Sequence, residues 1–122
     1  MTSTDGKLPA IKTSVPGPKS KEIFDTEQKY IAPGRQRISL LVGIAFDHGE
    51  GATLTDADGN TFVDFFAGVG VASLGHAHPA LAQALARQAS RLMVGTFATK
   101  ERAAAFKLLA EVAPAGLNRA HL

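Results

Sequence analysis

The stretch LTDADGNTFVDFFAGVGVASLGHAHPALAQALARQ, residues 54–88, carries the strongest fold signal of this chain. Its first part alternates apolar and polar residues on both sides of Asp58-Gly59. This dipeptide favours a tight turn between two strands, because both central positions of such a turn adopt positive φ. We therefore predict an antiparallel hairpin over residues 52–66.

Two helices are predicted after the hairpin. Pro79 suits a first helical position, and apolar residues recur at helical spacing from there to about Met93. Thr99 can cap a second helix, which Pro114 ends. The residues expected on the buried face of that helix are Ala103, Phe106, Leu109 and Ala110.

Between the hairpin and the first of these helices, residues 67–78 read AGVGVASLGHAH. Three glycines among small side chains predict an irregular buried loop against which another group packs closely. The last residues, 117–122, resemble the beginning of a strand.

Upstream of the hairpin, the β-rich run at 38–46 predicts a short strand, and Asp47–Gly51 predicts a break after it. Ser20 can cap a short helix that continues to Tyr30. Residues 1–20 are rich in Pro, Gly, Ser, Thr and Lys, and they bury too little apolar surface to offset the entropy of ordering. We therefore predict an arm with a short helix over residues 1–37, followed by a folded part over 38–122.

Composition narrows the possible functions. The chain has 122 residues, which allows one domain, and it has no cysteine. The lack of cysteine excludes a disulfide scaffold, a cysteine-ligated metal and a thiol nucleophile, and it fits a reducing cytoplasm. The apolar runs are too short for a membrane span, so we expect a cytoplasmic protein without a membrane partner.

Charge patterning disfavours nucleic-acid binding. Residues 1–37 contain seven Lys or Arg against four Asp or Glu, whereas residues 38–122 contain six against seven. The basic excess is spread thinly along the arm without interleaved aromatic residues, whereas a nucleic-acid interface shows a denser stripe on a folded element.

Two motifs invite ligand-binding interpretations that their spacing disfavours. Asp56-Ala57-Asp58-Gly59-Asn60 resembles the start of a calcium loop, but with Gly59 at the sixth position the first and twelfth positions would be Leu54 and Phe65. Gly68-Val69-Gly70 resembles a dinucleotide-binding turn, but Ser73 stands where the third glycine belongs. We favour a plain hairpin turn and a packing loop.

His76 and His78 could share a metal ion, and Asp64 lies across the loop from them. No third ligand is convincingly placed, so we predict no metal site and expect both histidines to end the loop and satisfy N-terminal helix donors. Outside the arm only Lys100 and Lys107 could form a Schiff base, and both are expected to be solvent-exposed. We therefore predict no catalytic residue in this chain.

A resemblance to a known family adds to this interpretation. Residues 54–88 resemble the N-terminal signature region of the class III aminotransferases, which are pyridoxal-phosphate enzymes of fold type I. The lead-in PGPKSKEIFDTEQKYIAPG, residues 16–34, is similar to the 4-aminobutyrate aminotransferase branch. The resemblance implies the α/β fold of the N-terminal portion of such an enzyme, with an extended arm, a short helix, a small antiparallel sheet with a hairpin, and two helices, incomplete as a domain.

The resemblance also implies site residues. The position of Val69 in the AGxxV stretch lies at the amino-acid substrate in this family, so Val69, Gly70 and Val71 are expected to bound the carbon chain of the substrate. The family's phosphate-binding turn and Schiff-base lysine come after the position where this chain stops. The resemblance therefore implies no cofactor-binding residue here, and pyridoxal phosphate is expected only in the full-length family.

Two functional hypotheses follow from the sequence. In the first, the chain is an N-terminal fragment of an aminotransferase that transfers an amino group from an amino acid or ω-amine, such as 4-aminobutyrate, to a 2-oxo acid. It is then expected to be inactive alone and to form a homodimer only as the full-length enzyme. In the second, it is a small non-catalytic α/β binding module that uses the loop from Gly68 to Gly75.

Overall fold

A computed structural model describes residues 8–32, 34, 37–93 and 95–121. The chain divides into two compact units, Met1–Gln83 and Ala84–Leu122. In chain order the elements are α1 (Pro18–Tyr30), α2 (Arg37–Val42), β1 (Phe46–Glu50), β2 (Thr53–Asp56), β3 (Thr61–Val63), α3 (Ala67–Gly70), α4 (Pro79–Ala89) and α5 (Lys100–Val112).

A three-stranded antiparallel sheet lies at the centre of the first unit, with β2 between β1 and β3. Leu54 pairs with Gly49 on one side and with Phe62 on the other. The ring of Phe46 meets that of Phe62 edge to face, with centroids 6.0 Å apart. One face of the sheet is therefore apolar.

The strand predicted at 38–46 is wrong. Arg37–Val42 form helix α2, and strand β1 begins only at Phe46. Most of the predicted break at Asp47–Gly51 is thus strand, because pairing with β2 supplies hydrogen bonds that the local sequence does not favour. Strand formation depends on its neighbours more than on residue type.

The predicted hairpin is confirmed by the antiparallel pairing of β2 with β3, but its turn differs from the predicted one. The N–H of Gly59 donates to the carbonyl of Asp56 at 3.0 Å, and the N–H of Asp56 donates to the carbonyl of Asn60 at 3.0 Å. Gly59 has φ +83°, whereas Asp58 is not among the residues with positive φ. The connection is therefore a three-residue loop whose last residue is left-handed, not a two-residue turn.

Helix α1 begins earlier than predicted, and Ser20 is not its cap. Gly17 occupies the cap position without a side-chain hydrogen bond, and Pro18 opens the helix. Asp58 of the hairpin turn supplies the missing acceptor, since its carboxylate accepts from the N–H groups of Lys19 and Ser20 at 2.9 and 2.8 Å. A Cβ on Gly17 would overlap this carboxylate, so the close approach requires glycine there.

The arm ahead of α1 is held by polar contacts. Ala10 and Thr61 exchange two backbone hydrogen bonds of 2.9 Å. The side-chain oxygen of Asn60 accepts from the N–H groups of Lys12 and Thr13 at 2.7 and 2.9 Å. Residues 8–17 thus lie along the hairpin. Hydrogen bonds hold them there, although their small apolar surface had suggested a free arm.

The predicted starts of the last two helices are confirmed. α4 begins at Pro79, although it ends at Ala89 and not near Met93. α5, in the second unit, is capped by Thr99, whose hydroxyl accepts from the N–H of Arg102 at 3.1 Å. The predicted strand start at 117–122 is wrong for residues 117–121, which hold no strand, and Leu122 lies outside the described residues.

The described residues have no buried apolar core. Among the residues that the structure describes, no hydrophobic side chain is buried, and the buried polar or charged residues are Ser20, Asp56 and Asn60. The predicted buried face of α5 is wrong in this chain, since Ala103 and Leu109 are exposed while Phe106 and Ala110 are half-buried. Apolar surface of this extent calls for further protein to cover it.

Candidate functional site

The loop after β3 contains a left-handed turn. In α3, Ala67, Gly68, Val69 and Gly70 have φ of 48°, 59°, 66° and 82°. A left-handed conformation costs a residue with a Cβ about 1–2 kcal/mol, and it is rarest for β-branched side chains such as that of Val69. Strain of this kind is concentrated at functional sites in proteins, where the surrounding structure maintains it.

The three residues predicted to contact a substrate, Val69, Gly70 and Val71, lie on and directly after this turn. Val69 is 74% exposed and Val71 is 83% exposed. Apart from its chain neighbours and the backbone of its own turn, no described atom lies within 4 Å of where a Cβ on Gly70 would stand. The loop is irregular, as predicted, but the prediction that it is buried is wrong in this chain. Its apolar side chains face outward because nothing in the described part of the chain covers them.

An open apolar groove of about 670 Å³ runs from the end of α2 across the apolar face of the sheet to this loop. Its walls are largely aliphatic and aromatic, and its polar lining comes from Asp64 and His76. The other lining residues are Val42, Ile44, Phe46, Leu54, Phe62, Val63, Phe65, Phe66 and Gly68. Such a surface offers apolar contact together with two groups that can hydrogen-bond.

The structure joins Asp64 and His76, which the sequence did not predict. The Nε2 atom of His76 lies 2.6 Å from the Oδ2 atom of Asp64. The other carboxylate oxygen accepts from the N–H groups of Phe66 and Ala67, both at 2.9 Å. The hydrogen bond from His76 and the bond from the Ala67 N–H hold the pKa of Asp64 below its usual range.

The expectation that both histidines satisfy helix donors is wrong for His76, whose ring bonds to Asp64. His78 contributes its backbone carbonyl to α4, accepting from the N–H of Ala82 at 3.0 Å. The ring of His76 fits because its neighbours are glycines. A Cβ on Gly49 would stand 2.8 Å from the Cγ atom of His76, and Gly51 pairs with His76 through two backbone bonds. The sequence signals for this pair were Asp64 directly after a strand and His76 three residues before the proline that starts α4.

The lysines of the second unit do not fit a Schiff base with pyridoxal phosphate. Lys100 lies 3.7 Å from Glu101, Lys107 lies 3.8 Å from Glu111, and both lysine side chains are exposed. A Schiff-base lysine needs a desolvated environment that lowers its pKa.

The two carboxylates of the acidic turn accept hydrogen bonds from the protein itself. Asp56 bonds to N–H groups of the turn, and Asp58 bonds to N–H groups of α1.

No helix among the described residues has the length and apolar character needed to cross a membrane.

Comparison with known proteins gives a consistent family. A family model described as aminotransferase class-III matches residues 34–121. The acetylornithine aminotransferase of Methanothermobacter thermautotrophicus is 40% identical over 97 residues, which cover 78% of this chain and 24% of that protein. The alanine/serine racemase of Pyrococcus horikoshii is 34% identical over 112 residues, covering 88% of this chain and 23% of that protein.

Solved structures agree with the sequence relatives. The ornithine aminotransferase of Toxoplasma gondii superposes with a TM-score of 0.63 and 31% identity, over 83% of this chain and 22% of that one. A second structure of the Toxoplasma enzyme has pyridoxal phosphate at partial occupancy in its active site. The chain spans about a quarter of the length of the relatives it matches, and the predicted α/β fold of part of a fold type I aminotransferase is confirmed.

Proposed function

Because the chain belongs to the class-III aminotransferase family, we propose that it forms one part of an enzyme that transfers an amino group from an amino acid or ω-amine to a 2-oxo acid. Enzymes of this family use pyridoxal phosphate, which carries the amino group between the two substrates. The amino donor we propose is 4-aminobutyrate or a related terminal amine. Acetylornithine and ornithine, named in the relatives above, carry a reactive amino group at the same kind of position.

The observation that carries this proposal is the combination of the family match with the exposed apolar surface. Residues 34–121 match the family, yet no hydrophobic side chain among the described residues is buried. A binding module that functions alone needs a core of its own to fold cooperatively. The exposed surface instead fits a segment that packs against the larger remainder of an aminotransferase.

We assign the loop carrying Val69, Gly70 and Val71 to the wall of the substrate site. The two valines have no polar atoms in their side chains and are exposed, so they are suited to contact the carbon chain of a substrate without taking part in the chemistry. Between them, Gly70 has open space at its Cβ position, since no described atom other than those of its chain neighbours and its own turn lies within 4 Å. The cofactor and its Schiff-base lysine belong to the remainder of the enzyme.

Three further expectations from the sequence stay predictions. Residues 1–37 are expected to act as an arm, and residues 38–122 to form the beginning of the folded body. The complete enzyme is expected to be a homodimer in the cytoplasm.

The test is a fusion of the complete 122-residue chain to the remainder of the Methanothermobacter acetylornithine aminotransferase, starting after its matched segment. We expect this fusion enzyme to bind pyridoxal phosphate, seen as Schiff-base absorbance in the visible range, and to transfer an amino group from a terminal amine to a 2-oxo acid. The remainder without the chain is the control and should do neither.

The isolated chain supplies the second part of the test. Its thermal melt, followed by circular dichroism, should be broad and weakly cooperative, because its helices lack a partner surface. A sharp cooperative melt of the isolated chain together with an inactive fusion enzyme would support the non-catalytic binding module and contradict the proposed aminotransferase role. Amino transfer by the isolated chain would also contradict the proposal.

A further inference from the structure

The loop of residues 65–75 leaves the sheet after β3 and returns to it at His76. At the return point the N–H of His76 donates to the carbonyl of Gly51 at 2.8 Å, and the N–H of Gly51 donates to the carbonyl of His76 at 3.0 Å. At the departure point the N–H of Asp64 donates to the carbonyl of Ala52 at 2.9 Å. Both ends of the loop are therefore attached to the short Gly51-Ala52 connection between β1 and β2.

The side chains of Asp64 and His76 close this loop on itself. One oxygen of Asp64 accepts from the first two N–H groups of the left-handed turn region, those of Phe66 and Ala67, and the other lies 2.6 Å from the ring of His76. The Asp64 side chain is 6% exposed and that of His76 is 25% exposed. The carboxylate thus fills its acceptor positions with donors from both ends of the loop.

Few apolar contacts among the described residues hold the loop in place. Its large apolar side chains, Phe65, Phe66, Val69, Val71 and Leu74, are all exposed. The left-handed conformation of Ala67 and Val69 is unfavourable by itself, so it persists only where other contacts impose it. The backbone hydrogen bonds from Val69 to Phe66 and from Ala72 to Ala67, both 2.9 Å, close the turn on itself. The hydrogen bonds to Asp64 and the pairing of His76 attach the closed turn to the sheet.

We propose that Asp64 and His76 are positioning residues that hold the left-handed turn, and with it Val69, in the geometry in which the loop meets the substrate. This inference rests on the proposed function, since it concerns the substrate wall of that same site. It makes the ring Nε2–H of His76 the donor and the ionised carboxylate of Asp64 the acceptor. Both residues act through the loop that they hold, so the pair affects substrate binding more than the chemical step.

The experiment compares variants of the fusion enzyme. His76→Leu removes the ring donor, and His76→Gln restores an N–H donor at similar reach. The control is His48→Leu, because His48 lies on the same sheet but is exposed and bonds only to the neighbouring Asp47 among the described residues.

We expect His76→Leu to raise the KM for the amino donor about tenfold with kcat changed less than about twofold, a size that fits loss of one hydrogen bond to a charged group. His76→Gln should recover most of that loss, and His48→Leu should match the parent. The proposal is overturned if His76→Leu behaves like His48→Leu. It is also overturned if His76→Gln is no better than His76→Leu, since the hydrogen bond would then not be the relevant contact.

A measurement of the His76 ring in the fusion enzyme separates this inference from the proposed function. Nitrogen-15 NMR of the His76 ring should show a protonated Nε2 whose proton exchanges slowly, and the signal should be lost in Asp64→Ala. An inactive fusion enzyme with this signal present would overturn the proposed function and leave the Asp64–His76 contact intact. An active fusion enzyme whose His76 ring shows no such signal would overturn the positioning role.

Discussion

Asp58 caps helix α1 from the hairpin turn, through a hydrogen bond of 2.8 Å from the N–H of Ser20 to its Oδ2 atom. The N–H of Lys19 donates to the other carboxylate oxygen at 2.9 Å. One side chain thereby joins two segments that are 38 residues apart. The start of the helix and the tip of the hairpin consequently depend on each other.

Replacing Asp58 by Ala should release the start of α1, because two backbone N–H groups lose their acceptor. Protease cleavage within residues 18–25 should become faster by roughly fivefold, the size expected for loss of one helix cap. Limited proteolysis followed by mass spectrometry measures this rate. Asp47→Ala is the control, since Asp47 is exposed and its carboxylate pairs with the adjacent His48, and equal rates in the two variants would contradict the capping role.

The same contact predicts a pH dependence. Partial burial raises the pKa of Asp58, but the hydrogen bonds from Ser20 and Lys19 outweigh it and hold the pKa below the ordinary value of 3.8. A carboxyl group whose pKa is lowered on folding stabilises the fold above its unfolded pKa and ceases to do so as pH falls through the folded value.

We therefore expect α1 to stay capped from neutral pH down to about 3.8 and to be released below it, measured as amide protection of Lys19 and Ser20. Asp58→Asn should cap the helix more weakly, since its amide keeps one acceptor oxygen for the two N–H groups, but this weaker cap should not titrate. An acid transition of the same size in both proteins would show that another group is responsible.

Asn60 holds the arm through both ends of its side-chain amide. Its oxygen accepts from the N–H groups of Lys12 and Thr13, and its nitrogen donates to the Thr13 hydroxyl at 2.9 Å and to Asp56 at 2.8 Å. Asn60→Ala leaves the two part-buried N–H groups of the arm without their acceptor, at a total cost of about 1–3 kcal/mol. We expect hydrogen exchange at Lys12 and Thr13 to accelerate at least about tenfold, and Asn118→Ala, at an exposed position, to leave it unchanged.

Asn60→Asp is a sharper version of this test. It keeps the oxygen that faces the arm but places a second carboxylate beside that of Asp56, where the amide now donates. Like charges at this distance repel, so the protection factors of Lys12 and Thr13, in which the intrinsic pH dependence of amide exchange is divided out, should be lower at neutral pH than in acid, where one carboxylate is protonated. Protection factors with the same pH dependence in Asn60→Asp and in the parent would contradict this repulsion.

Gly49 leaves the space that the His76 ring occupies. A Cβ there would stand 2.8 Å from the Cγ atom of His76 and 2.9 Å from the Cδ2 atom of Leu54, so Gly49→Ala must displace the ring. The NMR signal of the His76 Nε2 proton should broaden or disappear. Gly95→Ala serves as the control, because a Cβ there would meet no described atom within 4 Å apart from its chain neighbours, and an unchanged signal in Gly49→Ala would contradict the described packing.

Val69→Gly should change stability and function in opposite directions. Glycine removes the left-handed strain that Val69 has at φ +66°. In the free energy of unfolding, this gain exceeds the cost of the greater chain entropy of glycine by about 0.5–1 kcal/mol. The fusion enzyme should therefore melt slightly higher, while its KM for the amino donor rises because the apolar side chain is lost. Val71→Gly is the matched control, since Val71 has φ −87° and gains only chain entropy, so its melting temperature should fall.

Local sequence signals identified the elements whose start or turn is specified by neighbouring residues. Pro79 opens α4, Thr99 caps α5, and Gly59 allows the hairpin turn, each through a preference that acts within a few residues. The run at 38–46 failed because β-propensity is a weak guide where pairing with another strand decides the structure. Ser20 failed as a cap because the carboxylate that caps α1 comes from a distant turn.

The sequence by itself determined the family, the hairpin, the irregular course of the glycine loop and the starts of the two later helices, because these depend on short-range spacing and on residue types such as Gly and Pro. Only the tertiary structure decided that Asp58 caps α1, that Asn60 holds the arm, and that Asp64 meets His76. The physical reason is that these hydrogen bonds join groups that are 12 to 48 residues apart, and their directional geometry exists only once the chain has folded.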